Sequence, residues 1–370
     1  MKTEEKVSIG VIGCGAISSI YLQAPRTFDI LSIVACSDQV RERAESQAAA
    51  FGIPKVLSVE ELLNDPDIEV VLNLTIPKAH AEIGMAALNA GKAVYGEKPL
   101  ALEREEGQAL LRLARERRLR VGSAPDTFLG GGIQTCIDLI NDGVIGVPVA
   151  AAAFFMGHGP EDWHPDPNFF YQPGAGPLFD MGPYYLTALI AMMGPVQRVS
   201  SSTRITFPER QITSQPHAGE IIIVNTPTHI AGTLEFENGA IATLITSFDV
   251  WHHHLPNIEI YGTEGSLRVP DPNTFGGPIQ IRRMDETAWR EVSVTRGYTN
   301  NSRGIGLADM AYAIRTGASH RASQELAFHV LDIMQTLHES AREGHHITLG
   351  STCSRPASLD PSIFAQDALG

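Results

Sequence analysis

Cysteine is scarce. The chain of 370 residues has four, Cys14, Cys36, Cys136 and Cys353, scattered with no C-x-x-C or other metal-type spacing. That excludes a disulfide scaffold or a zinc ribbon and is the usage expected in a reducing cytoplasm. Cys14 and Cys36 lie in apolar runs and read as buried small residues. Long apolar runs are missing too. The leading MKTEEK passes into an apolar stretch of about seven residues broken by glycines, which is neither a secretory signal nor a membrane span. Positive charge is in short supply: 28 Lys and Arg against 42 Asp and Glu leave a net charge of −14. Such a surface repels phosphate backbones, so nucleic acid is not an expected partner, nor is a membrane. The one dense basic run, 112–120, contains Glu116 and reads as a solvated helix face followed by a strand. What remains is ordinary globular composition, 43% hydrophobic and 19% charged, in a chain long enough for two full cores.

The first third alternates short apolar strands with helical patterns. Strands are expected at 7–13, 31–37, 70–75 and 93–96. Helices are expected near Ala16, over 39–51 with Gly52 as its stop, over 79–89 ended by Gly91, and over 103–118. Ser58 and Glu61 form a capping box for a short helix. This order implies a parallel sheet with right-handed crossovers. After about Ser123 the texture changes. One helix is expected at 132–141, then a Gly/Pro/aromatic loop over 157–176. The β patterns 230–237, 240–248 and 258–261 follow, the first two joined by the hairpin signal Asn238-Gly239. Helical patterns at 307–316 and 324–343 lead to a polar tail, either an arm or disordered. The expected division is a dinucleotide-binding domain over 1–123, a substrate and oligomerisation domain over 124–350, and a tail over 351–370.

The segment GVIGCGAISS follows the first strand and opens the first helix. Gly13 allows the tight turn, and Gly15 lets the backbone approach a pyrophosphate at the helix N-terminus. Ser18, a small residue, stands where a third glycine is common. Alone the motif is weak; after a strand and inside a βαβ unit it points to a dinucleotide. Asp38 ends the second strand. A carboxylate there takes the two ribose hydroxyls and repels a 2′-phosphate, which favours NAD over NADP. Asp38 could equally cap the helix that follows, and the nearby Arg41 and Arg43 could admit the phosphate.

YGEKPLA, starting at Tyr95, lies at the carboxyl end of a strand, where open parallel sheets bind ligands. A Glu-Lys-Pro triplet is no turn requirement, so Lys98 is a candidate functional lysine. The segment from Gly13 to Ser18, Thr75-Ile76-Pro77 with His80, Glu97-Lys98-Pro99, the stretch 176–184, YGTEGSL at 261–267 and the final helical pair together resemble the Gfo/Idh/MocA oxidoreductases, relatives of glucose–fructose oxidoreductase and inositol dehydrogenase. The resemblance spans nearly the whole chain. It implies an α/β protein, a Rossmann domain followed by an α/β domain with a large open, mostly antiparallel sheet that packs face to face in dimers or tetramers. It also implies sugar or polyol substrates and hydride transfer between a hydroxyl-bearing carbon and nicotinamide. Carried over, Gly13, Cys14, Gly15, Ala16, Ile17, Asp38, Thr75, Pro77, His80, Glu97 and Lys98 would hold the cofactor. Lys98 would touch the reacting oxygen and Asp180 would orient the substrate. The family pattern Asp-x-Gly-x-His becomes Asp180-Met181-Gly182-Pro183-Tyr184 here, so a tyrosine takes the place of the usual acid/base. A phenol near pKa 10 is a poor base, but an adjacent ammonium such as Lys98 lowers it. Either Tyr184 accepts the proton, or it only binds substrate and Lys98 does.

The loop just before this stretch carries His158, Trp163, His164 and Tyr171. Aromatic rings stack on sugar C–H faces, so these are candidate substrate contacts; the same residues would also serve a Pro-stiffened structural loop or an oligomer contact. His158 and His164 are further candidates for the missing base. His252, His253 and His254 sit at an apparent strand end, which would point His252 and His254 to one face. Two histidines with no placed third ligand make a weak zinc site, so a sheet-face or interface contact is expected there and no metal. Three functions stay open: an NAD-dependent sugar or polyol dehydrogenase, an NAD-dependent glycoside hydrolase that oxidises transiently, and a cofactor-binding sensor without turnover.

Overall fold

The computed structural model describes residues 5–360. In chain order the first third runs β1 (Val7–Ile12), α1 (Ser18–Leu22), β2 (Leu31–Ser37), α2 (Arg41–Phe51), β3 (Lys55–Val56), α3 (Val59–Asn64), β4 (Val70–Asn73), α4 (His80–Asn89), β5 (Ala93–Gly96), α5 (Arg104–Arg117) and β6 (Val121–Ser123). The six strands form one parallel sheet in the order β3-β2-β1-β4-β5-β6. This is the expected doubly wound arrangement, with the order reversing beside β1. Local signals act as read: Ser58 and Glu61 make a full capping box on α3, and Gly52 ends α2 in the left-handed region at φ 70°. The first helix differs. It starts at Ser18 and is five residues long, after a turn at Ala16 and Ile17.

The chain continues through α6 (Gly131–Asn141), β7 (Pro148–Met156), α7 (Gly176–Met193), β8 (Val196–Arg204), β9 (Glu209–Gln211), β10 (Ile221–Ile223), β11 (His229–Phe236), β12 (Ile241–Ser247), β13 (Ile258–Gly262), β14 (Gly265–Val269), β15 (Ile279–Arg283) and β16 (Arg290–Val292). It closes with α8 (Ile305–Thr316), α9 (Gln324–Glu343) and β17 (Ile347–Thr348). Nine of these strands form a sheet in the order β16-β15-β14-β13-β7-β12-β11-β8-β17. Every pairing in it is antiparallel except β7 with β12. Helices α6 and α7 pack on one face. On that face Ala151, Ala153, Ala242, Leu244, Ile230 and Leu234 are buried, and the alternating positions on the other face stay partly open.

The expected division at 123 and 350 is corrected by the packing. Among the described residues one compact unit comprises 5–130, 296–331 and 356–360; the other comprises 131–295 and 332–355. The return of 296–331 to the first unit has a local cause. Asp126, just after β6, is buried and its Oδ2 accepts from the amides of Gly304 (2.8 Å) and Gly306 (3.1 Å) at the start of α8. Arg315, in the last turn of α8, forms a two-pronged pair with Glu69, both bonds 2.7 Å. The tail is likewise no free arm as far as residue 360: Ser351 N donates to Asp332, Arg355 to the carbonyl of Ala191, and Arg321 to the carbonyls of Ala357 and Ser358. Residues 361–370 of the expected tail lie outside the described residues.

Asp126 makes the first unit sensitive to pH. Burial pushes its carboxyl up from 3.8 to about 6, against the two amide donors and Arg303, with Glu97 adding to the rise. The folded state therefore binds this proton more tightly than the unfolded chain. The group's stabilising contribution is whole below about pH 4 and is lost as pH climbs through about 6. Asp126→Asn keeps an acceptor oxygen and cannot ionise, so its melting temperature should lose that slope. Asp126→Ala leaves two buried amides unpaired and should cost about 1–3 kcal/mol at every pH. Thermal melts across this range decide; parallel wild-type and Asn curves would refute the assignment.

Candidate active site

The first unit gathers its chemistry at the carboxyl ends of its strands. Gly13 has φ 102°, and its amide donates to Ser37 O at 2.9 Å. A Cβ there would sit 2.5 Å from the carbonyl oxygen of Leu74, so no other residue fits. A Cβ on Gly15 would meet nothing within 4 Å, which leaves that backbone open on its outer side. The loop is tied down by Asp38: Oδ2 accepts from Cys14 N at 2.7 Å and Oδ1 from Val40 N at 2.8 Å. Asp38 is not the N-cap of α2, a place taken by Val40 without a side-chain cap bond; it makes a turn bond just before the helix and has a role not foreseen, anchoring the glycine loop. Its remaining lone pairs are still available to a ribose. Cys14 departs from its expected role. Its amide is already taken by Asp38, and its side chain is buried beside Cys36, with Sγ 3.6 Å from Ser37 O. Hydrogen bonding with Cys36, then burial, pushes its thiol far up, out of the reactive range.

His80 also departs from the expected cofactor contact. It is 3% exposed, with Nδ1 2.6 Å from Pro99 O and Nε2 3.0 Å from Thr75 O. Both ring nitrogens face backbone carbonyls, so the ring ties the loop after β4 to the loop after β5. Asn73 completes the tie: Oδ1 accepts from the Thr75 hydroxyl at 2.6 Å and Nδ2 donates to His80 O. Pro77 opens the 3-10 turn Pro77–Ala79. Glu97 Oε1 accepts from the Tyr21 hydroxyl at 2.6 Å, and Oε2 from the Lys98 amide at 3.0 Å. Tyr21 carries no motif and was not anticipated; burial and the Glu97 charge hold its phenol well above its usual range, so it stays a donor. Lys98 follows, half-buried, at the end of β5.

The second unit carries the other half of the candidate set. The stretch 176–184 is neither a turn nor a loop but the first half of α7, a helix of 18 residues running through Pro183. Proline removes one rung of the ladder there, directly before Tyr184. Asp180 and Tyr184 are one turn apart on the same side of the helix. Within α7 only Asp180 and Met181 are not buried, and Tyr184 is 8% exposed.

The connections after β7 and β12 leave the same edge of the sheet, because these two strands are parallel, with Ser247 opposite Met156. A buried cation holds them together. Arg210 donates through Nη1 to His158 O (2.7 Å) and Glu161 (2.8 Å), and through Nη2 to Phe248 O (2.8 Å) and the Asp249 carboxylate. Asp249 also accepts from the Thr228 hydroxyl at 2.8 Å. Among the expected substrate contacts, Trp163 is 66% exposed, and His164 Nδ1 accepts from Asp166 N at 3.0 Å. Tyr171 is corrected: it has no exposed surface and packs in a core with Ile212, Ile222, Val224 and Phe248. His158 lies flat on Trp251, ring centroids 3.3 Å apart and planes 16° apart. Burial, then Arg210, lowers its pKa, so it is neutral at pH 7. His252–His254 are corrected too: β12 ends at Ser247, so the three lie exposed in the connection and share no strand alternation. Among the described residues no cluster of side chains suits a metal.

Residues 7–124 match the family described as an oxidoreductase family with an NAD-binding Rossmann fold, and residues 133–268 match the GFO/IDH/MocA C-terminal domain. A dTDP-3,4-didehydro-2,6-dideoxy-alpha-D-glucose 3-reductase of Streptomyces antibioticus is 28% identical over 294 residues, 78% of this chain and 82% of its own. A levoglucosan dehydrogenase of Pseudarthrobacter phenanthrenivorans is 26% identical over 291 residues, 71% and 73% of the two chains. An NAD binding oxidoreductase from Klebsiella pneumoniae superposes with a TM-score of 0.82 at 22% identity, covering 93% of this chain and 99% of that one. The protein is an NAD-binding oxidoreductase. It belongs to the GFO/IDH/MocA family, as the motifs implied.

The Asp38 arrangement sets a test. Asp38→Ala removes the expected ribose partner together with the anchor of Cys14 N, so NAD should bind about tenfold more weakly or worse, bonds to charged acceptors being worth about 1.5–3 kcal/mol. With the repelling carboxylate gone, the ratio of NADP to NAD affinity should rise. Titration of both cofactors into both proteins measures this; unchanged affinity and unchanged discrimination remove Asp38 from the site.

Proposed function

We propose that the protein oxidises a hydroxyl of a sugar or polyol, or reduces the corresponding carbonyl, with NAD as the redox partner. The observation that carries this is the glycine cradle of the first unit, where Gly13 has φ 102° and no room for a Cβ and the backbone at Gly15 lies open. NAD, when bound, takes or returns the hydride. The chain's own residues handle the hydroxyl and its proton. Lys98 binds the reacting oxygen and stabilises it as its proton leaves. Asp180 orients the sugar, and Tyr184 accepts the proton where the family's histidine stands. The relatives reported are a reductase and a dehydrogenase of carbohydrates, which supports net redox over hydrolysis. The reducing cytoplasm is the proposed location, on the four free cysteines; no helix among the described residues is long and apolar enough to cross a membrane.

Tyr184→Phe tests the relay, since it deletes a hydroxyl and keeps the ring. The chemical step should fall by about 10²–10⁴-fold, with the rising limb of the pH–rate profile moved or gone. A loss under about tenfold with the profile intact would make Tyr184 a binding contact and Lys98 the base.

We also propose a homo-oligomer built on the open face of the large sheet. Across β7, β12 and β11, Ala152 lies opposite Thr243 and Thr243 opposite Thr233, with Ala150 opposite Ile241 on one side and Phe154, Ile245 and Ala231 in a row on the other, so that face has a small-residue centre flanked by apolar side chains. Ile241 at its margin is 51% exposed. Such a surface packs closely against a copy of itself. Light scattering should give a dimer or tetramer, and Thr243→Arg should shift it to a monomer; a monomeric wild type ends this reading.

A further inference from the structure

We infer that Trp251, backed by His158, is an aromatic wall that holds the apolar C–H face of the sugar ring. This rests on the carbohydrate reading above and adds to it a specificity residue that carries no family motif. Trp251 is 68% exposed even though one face of its indole lies on the His158 imidazole, so its other face is open. Phe207, 40% exposed, meets His158 edge-on with centroids 6.0 Å apart. Exposed clustered rings mark binding surfaces more often than scattered ones.

The wall is also held still. Arg210 grips Asp249, two residues before Trp251, and the carbonyl of His158 in the same fork. Val250 N donates to Gly157 O at 3.0 Å, and Gly157 N to Ser247 O at 3.0 Å. Both rings therefore project from rigid backbone. They do so at the edge from which β7 feeds the connection into α7, the helix of Asp180 and Tyr184. Asn257, at the far end of the Trp251 connection, donates to the Tyr185 hydroxyl of that helix at 2.9 Å. A wholly apolar ligand would waste the polar groups on this edge. A sugar has a C–H face for the indole and hydroxyls for the side chains around it.

Activity of the wild-type enzyme is measured with NAD on a panel of levoglucosan, myo-inositol and D-glucose, and the best substrate is carried forward. Trp251→Ala and Trp251→Leu should each raise KM about 3- to 12-fold with kcat within about twofold, while Trp251→Phe restores most of the loss, as aromatic stacking of ordinary strength requires. The same sugar, added to NAD-loaded enzyme, should change tryptophan emission in wild type and in Trp163→Phe but not in Trp251→Phe. Thermal melts check that the variants fold, and the Leu and Phe forms keep the side chain's bulk if the alanine form does not. An active wild type with KM unchanged in the Ala and Leu variants overturns this inference alone, as does a change in oligomer mass without a change in KM. A wild type that turns over nothing on the panel overturns the carbohydrate reading and this wall with it.

Discussion

A guanidinium buried between two carboxylates sets the geometry of the second unit. Arg210 is 6% exposed, and Glu161 and Asp249 flank it. Taking three charges from water is expensive, and such a group competes poorly with a well-packed apolar one as a source of stability. Its value lies in uniqueness. The fork and its carbonyl acceptors can be satisfied in only one arrangement of the β7 and β12 connections, and removing one partner from such a cluster typically costs about 3–5 kcal/mol. The positions of Trp163, His158 and Trp251 all follow from that fixed backbone. The cation also lies 5.4 Å from the centroid of the buried Tyr171 ring, so the clamp packs directly on the small core beside it.

The first unit uses side-chain-to-backbone ties for the same purpose. Asp38 sews the glycine loop to the start of α2, and His80 sews the loop after β4 to the loop bearing Lys98. Residues that a motif assigns to ligand binding thus spend their bonds on backbone. At Gly15 the backbone stays open, with nothing within 4 Å of where a Cβ would stand. These ties hold the loops around the glycine turn in one arrangement, a preorganised frame at the carboxyl ends of the strands.

The Rossmann half was legible because each element carries its own punctuation: Gly52 stops α2, the Ser58–Glu61 box starts α3, and apolar strands alternate with amphipathic helices. The second half was less so. β7, the centre of the large sheet, reads PVAAAAFFM, and a run of alanines shows neither alternation nor β propensity. α7 contains two glycines and two prolines, Gly176, Pro177, Gly182 and Pro183, residues that disfavour a helix, so no helix was expected there; burial of nearly the whole helix overrides that preference. Trp251 was passed over for the histidines beside it, because the contact that distinguishes it, the stack on His158, joins residues 93 positions apart in the chain. Glu161, Arg210 and Asp249 were invisible for the same reason.

The discontinuous first unit has a consequence for how the protein is made. The strands of its sheet are synthesised within the first 123 residues, but α8, which Asp126 caps and which packs on β6, is not synthesised until after the entire nine-stranded sheet but for β17. A nascent chain therefore carries an uncovered edge strand and a carboxylate without its amides through most of its synthesis. The same is true of a fragment cut at residue 130. The cofactor-binding half of this enzyme is a structural unit but not a separable one, and a fusion or truncation that treats it as a cassette would leave the buried Tyr95 facing solvent where Gly306 should lie.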